Sequence, residues 1–188
     1  MMAFQNRTPD MRPIAVSLLA SFATAFLATA AMAESAITPF VGDYSGSAEV
    51  ETYDGSLVDR DMSVAIRETK EGFSIDWSST TFRSDKATQK SYHIEFQPSD
   101  RDGVYAAAMT KNVFGHEVQL DPMKGLPYVW ARIVDDTLTV FSLYVTADGG
   151  YEIQQFDRSL AEGGLDLEFS RLNSEDAKPA VSTHLKRQ

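Results

Sequence analysis

Residues 128–172 read YVWARIVDDTLTVFSLYVTADGGYEIQQFDRSLAEGGLDLEFSRL. Four strands are legible in them: Tyr128 to Val134, Thr137 to Thr146, Tyr151 to Arg158 and Leu165 to Leu172. Their connections are short and turn at Asp135-Asp136, Asp148-Gly149-Gly150 and Glu162-Gly163-Gly164. Aspartate and glycine tolerate the positive φ of tight hairpins. Connections this short join antiparallel neighbours, so the segment must run as a meander.

The same period of two extends toward the N-terminus. Tyr44, Gly46, Ala48 and Val50 share one face of a first strand, and Asp54-Gly55 turns it. Met62, Val64 and Ile66 alternate with Ser63, Ala65 and Arg67. Phe73, Ile75 and Trp77 alternate with Ser74, Asp76 and Ser78, and read as core. After a turn at Asp85-Lys86, Tyr92, Ile94 and Phe96 alternate with His93, Glu95 and Gln97. Pro98 to Gly103 is a turn cluster and Val104 to Met109 a short strand. Residues 111–127 are interrupted by Gly115, Pro122, Gly125 and Pro127, and are long enough for a lid or crossing loop. Residues 173–188 are polar and charged and read as a tail. About nine strands result, with no sustained helical period.

An open meander leaves two unpaired edges, and closure removes both. Leu138 to Val145 is apolar on both faces, as a barrel wall with a packed interior would be. The expected fold class is therefore all-β, an antiparallel meander barrel. Gly42-Asp43-Tyr44 opens the first strand, and Arg171 lies late in the last one read here. In this the chain resembles the calycins, the lipocalins and fatty-acid-binding proteins. There a Gly-x-Trp opens the first strand, and an arginine of the last strand packs over the aromatic. Tyr44 replaces the tryptophan, and the second lipocalin signature, a Thr-Asp-Tyr-like turn, is absent. The resemblance implies a calycin-like barrel closed by a Tyr44–Arg171 contact, with room for one small ligand. An outer-membrane barrel would instead need a continuous apolar outer band. Asp59, Asp61, Asp76 and Glu95 interrupt it.

At the N-terminus, Arg12 precedes an uncharged run, Pro13 to Ala33, that ends in Ala31-Met32-Ala33. That is the pattern of a secretory signal peptide over residues 1–33, with Met11 a second candidate start. The run is just long enough for a membrane anchor. Its Ala, Ser and Thr content and the small residues at its end favour cleavage after Ala33. The expectation is a periplasmic or secreted protein, with a barrel domain over 34–172 and a tail over 173–188. Removing Arg7, Asp10 and Arg12 leaves 15 Lys+Arg against 26 Asp+Glu, a net charge of −11. A body this acidic repels phosphate backbones, so no nucleic-acid partner is expected. With no cysteine, disulfides, thiolate metal sites, thiol catalysis and a lipidated terminus are excluded, and stability rests on burial.

Catalytic constellations are absent from the reading. His93, His116 and His184 are not paired at metal-ligand spacing, so neither metal nor cofactor is expected. Asp100-Arg101-Asp102-Gly103 lacks the further oxygen ligands of a calcium loop and reads as a turn. Glu152 and Asp157 are five residues apart on one strand and face opposite sides. No nucleophile elbow or phosphate-cradling glycine loop appears. What stands out is a set of polar and amphipathic residues in the C-terminal strands: Trp130, Arg132, Tyr144, Gln154 and Arg158. Facing inward, these would line a pocket for a small apolar or amphipathic molecule. Facing outward, they are a wet face with snorkelling arginines. Parity leaves both open, because Val129, Ala131 and Ile133 are an equally good core face. The expected function is non-catalytic binding of such a ligand in the lumen. The alternative is an interaction module with a filled core, acting through a surface near Phe114 or Leu126.

Overall fold

Alternating apolar residues and turn-forming Asp-Gly pairs produce twelve strands in the computed structural model. It describes residues 35–51, 55–84, 86–108, 110–111, 117–173 and 177–188. The expected signal peptide, the turn residues Asp54 and Asp85, Phe114 and His116 lie outside the described residues. In chain order the strands are β1 (Gly42–Glu51), β2 (Leu57–Thr69), β3 (Gly72–Arg83), β4 (Lys86–Pro98), β5 (Val104–Ala108), β6 (Thr110–Lys111), β7 (Glu117–Val118), β8 (Tyr128–Val134), β9 (Thr137–Val145), β10 (Tyr151–Ala161), β11 (Gly164–Asn173) and β12 (Ala177–Arg187). Strands β6 and β7 pair only with each other. The other ten form a closed antiparallel barrel in meander order, with β12 hydrogen-bonded back to β1. This is the all-β closed meander expected, with ten strands instead of about nine and a topology consistent with a calycin-like barrel.

The tenth strand is a correction. Residues 173–188, read as a tail, contain β12, which pairs with β11 from Gly164↔Lys186 to Leu172↔Ala177. Leu185 is fully buried opposite Leu165. The register slips by one residue between Phe169↔Val181 and Arg171↔Lys178, leaving Pro179 and Ala180 opposite Ser170 alone. A proline lacks the amide hydrogen for a ladder bond, and such an irregularity is where a sheet accepts it. Two glycines let β12 approach closely. A Cβ on Gly46 would stand 2.6 Å from the His184 carbonyl oxygen, and one on Gly164 only 2.0 Å from that of Leu185.

Barrel filling is uneven along the axis. At one end lie the turns 70–71, 99–103, 135–136 and 162–163, and a short 3-10 helix, Thr38–Phe40, precedes β1 there. Ile37 and Phe40 are buried and join Tyr44, Ile66, Phe73 and Phe96 in one apolar cluster. Phe73 stacks on Phe96 at 4.9 Å and meets Tyr105 edge-on. Each fully buried aromatic contributes about 1.5–3 kcal/mol, so this end is a stable plug. The outer face carries exposed Asp59, Asp61, Asp76, Glu95, Asp166 and Glu168. Among the described residues no helix is long and apolar enough to cross a membrane.

Candidate functional site

Beyond the plug the inward positions change character, and the barrel opens into a cavity of about 400 Å³. Its lower wall is apolar, with Val64, Ile94, Val140, Leu167 and Leu185. Above this lie four aromatic rings. Trp77 stacks on Tyr92 at 5.2 Å and tilts against Phe156 at 6.0 Å; Phe156 meets Phe169 at 4.7 Å. The register explains the belt: Trp77 pairs with Tyr92 across β3–β4, and Phe156 with Phe169 across β10–β11.

Arg158 projects from β10 at the floor, between Leu138 of β9 and Leu167 of β11. It is buried, and its Nε and Nη1 have no hydrogen-bond partner. The guanidinium carbon lies 5.9 Å from the Trp77 ring centroid and 5.7 Å from that of Phe156. Aromatic faces attract a cation but give its N–H groups little to bond to. Burial is the main force on its acidity and pushes its pKa down to about 10; Asp157, the adjacent residue of β10, opposes this. Asp157 itself points the other way, accepting from Thr139 Oγ1 and Gln155 Nε2, each at 2.6 Å.

A second group of cations stands at the mouth. Arg60, Arg83, Lys90 and Arg171 all line the cavity. Arg60 Nε donates to Thr81 Oγ1 at 3.0 Å. Its pKa is lowered by burial first, then by the positive charges of Arg171 and Arg83. Arg171 Nε lies 3.4 Å from Glu152 Oε1, which also accepts from Gln154 Nε2 at 2.6 Å. Among the described residues lining the cavity there is no aspartate or glutamate, in a chain whose net charge is −10. Glu152 meets Arg171 at the mouth, while Arg158, Arg60 and Arg83 have no ion-pair partner among the described residues.

Of the residues singled out from sequence, Tyr144, Gln154 and Arg158 lie on the cavity wall. Trp130 and Arg132 do not, and the expectation that they line the lumen is corrected. Val129, Ala131 and Ile133 take the buried face of β8, and the other parity points out. There Trp130 stacks on Phe141 at 4.8 Å, and Arg132 covers the same ring at 5.7 Å. Trp77, read as core, packs against the core and also faces the cavity. Arg171 is not the closing arginine either: it pairs with Glu152 and covers Phe169 near the mouth. Arg187 of β12 takes that place, 5.0 Å from the Tyr44 ring.

Sequence reading missed Arg60, Arg83 and Lys90. A signal existed, since each shares the parity of the apolar residues on its own strand. His93 and His184 lie on the outer face, with Nδ1 at 2.6 Å from Asp76 and 2.7 Å from Asp166. No group of three or more metal-ligating side chains occurs among the described residues. No protein-family model matches the chain, and no curated protein matches it in sequence.

Proposed function

We propose that this is a ligand-binding barrel of the periplasm or extracellular space. Its lumen takes a small amphipathic anion, without catalysis. The observation that carries the reading is the buried, unpartnered Arg158 at the floor of an apolar, aromatic-walled cavity. A buried cation without a counter-charge is costly, and an anion that paired with it would recover much of that cost. The apolar wall would take the rest of the molecule, in the usual make-up of a small-molecule site. This is also the arrangement a calycin resemblance implies, with one ligand in the barrel.

Titration with dodecanoate tests it. In the Trp130→Phe protein, Trp77 is the remaining tryptophan of residues 34–188 and reports from the cavity wall. Saturable one-to-one quenching or enhancement that is lost in Arg158→Met supports the reading. A linear, non-saturating response in both proteins counts against it. The interaction-module alternative has one feature in its favour, the outward Trp130–Phe141 stack beside exposed Tyr128. A filled core, however, is not what the cavity offers.

A further inference from the structure

The cations of the lumen lie at two levels. Arg158 is at the floor, beside Trp77. On β10, Gln154 lies four residues nearer the mouth, and it faces Arg171 across the β10–β11 ladder. On the opposite wall Trp77 pairs with Val64 of β2, and Arg60 lies four residues further toward the mouth. Four residues of extended strand are about 13 Å, and the same step separates the two levels on both walls. The belt of Trp77, Tyr92, Phe156 and Phe169 next to the Arg158 guanidinium is uncharged, and Lys90, two residues from Tyr92 toward the mouth, belongs to the upper level. At the upper level Arg60 and Arg83 face an open mouth. Arg171 already has Glu152, whereas no carboxylate is within salt-bridge distance of Arg60 or Arg83 among the described residues.

A ligand with a single anionic end would match one level and leave the other unneutralised. We infer that the lumen takes an elongated dianion with an apolar middle, one anionic end held by Arg158 at the floor and the other by Arg60 and Arg83 at the mouth. This rests on the lumen-binding reading and narrows it to a ligand class. The aromatic belt sets the chemistry of the middle, which must be alkyl or aryl. Charge-assisted bonds to guanidinium suit carboxylate, sulfonate or phosphate ends equally. Burial first, and then repulsion from Arg171 and Arg83, disfavours the charged form of Arg60, and an anion seated among the three would relieve that repulsion.

The experiment compares dodecanoate with dodecanedioate, which differ only in a second carboxylate at the far end of the chain. Both are titrated at pH 8 and fixed ionic strength into the Trp130→Phe protein and into that protein carrying Arg60→Gln and Arg83→Gln. Dodecanedioate is expected to bind about tenfold more tightly or better, one charge-assisted contact's worth. In the mouth variant the two affinities should converge. Equal affinities in the parent protein, with dodecanoate saturable, would overturn the two-ended ligand and leave lumen binding standing. A preference for dodecanedioate that survives in the mouth variant would overturn the assignment to Arg60 and Arg83. Failure of both probes to saturate would bring down the lumen reading and this one with it. The parent-protein ratio needs no mouth variant, so it stands even if that variant misfolds.

Discussion

The Arg187 guanidinium covers the Tyr44 ring at 5.0 Å, and its Nη2 donates to Tyr44 Oη at 2.7 Å. The same side chain reaches the carbonyl oxygens of Val41 at 2.8 Å and Pro39 at 3.3 Å. Tyr44 Oη in turn donates to the Phe40 carbonyl oxygen at 2.8 Å. One arginine of the last strand therefore ties together the first strand, the plug and the seam.

Arg187→Ala should cost about 1–3 kcal/mol of stability, from a cation–π contact and the bonds it shares. Arg171→Ala, an exposed ion pair by comparison, should cost less than about 1 kcal/mol. Chemical denaturation of both variants checks the order. Combining Arg187→Ala with Tyr44→Phe should cost less than the sum of the two, because they share a bond.

Deleting residues 174–188 should abolish cooperative unfolding. The deletion removes β12 and leaves β1 and β11 as free edges. A truly dispensable tail would leave the melting curve unchanged. Circular dichroism melting and light scattering distinguish the two outcomes.

Gly46→Ala should destabilise by roughly 1–3 kcal/mol, as overpacking does, because its Cβ would meet the His184 backbone at 2.6 Å. Hydrogen exchange of the β12 amides should rise in this variant more than that of the amides of β3 and β4.

Affinity for dodecanoate should be nearly constant between about pH 7 and 9, where the ligand is a carboxylate, and fall above about pH 10, where Arg158 loses its proton. The sign follows from the charge. Only the guanidinium form attracts a carboxylate, so each pH unit above that pKa costs about tenfold in affinity. Arg158→Met should bind weakly, without this onset. The Trp77 signal measured across the range gives both curves.

Legibility of the fold and of the site differed for one physical reason. Periodicity reports a strand only while one face is apolar and the other wet. In β8 to β11 the order could be read because short turns rich in Asp and Gly bound each strand, although β8 and β9 are largely apolar on both faces. In β2, β3 and β4 the alternation held only beside the plug. Toward the mouth the inward face is itself polar and carries Arg60, Arg83 and Lys90, so the apparent strands stopped short at Met62, Ser78 and Tyr92. β12 escaped notice similarly: beside Val181 and Leu185 it carries Pro179, His184, Lys186 and Arg187. The inward facing of Gln154 and Arg158 is fixed by register against Ser142 and Leu138, a long-range fact absent from β10 alone. Trp130 was misplaced because β8 offers two plausible core faces, and the smaller residues Val129, Ala131 and Ile133 fit the crowded interior.

The account turns on Arg158 being a cation stored without a counter-charge. Thermal melting of the wild type and of Arg158→Met, each with and without dodecanoate, addresses this most directly. Without ligand, Arg158→Met should be the more stable by ~1–4 kcal/mol, since an apolar side chain replaces a buried charge. Dodecanoate should raise the melting temperature of the wild type and leave that of Arg158→Met nearly unchanged. A less stable Arg158→Met protein that dodecanoate stabilises as much as the wild type would contradict the account.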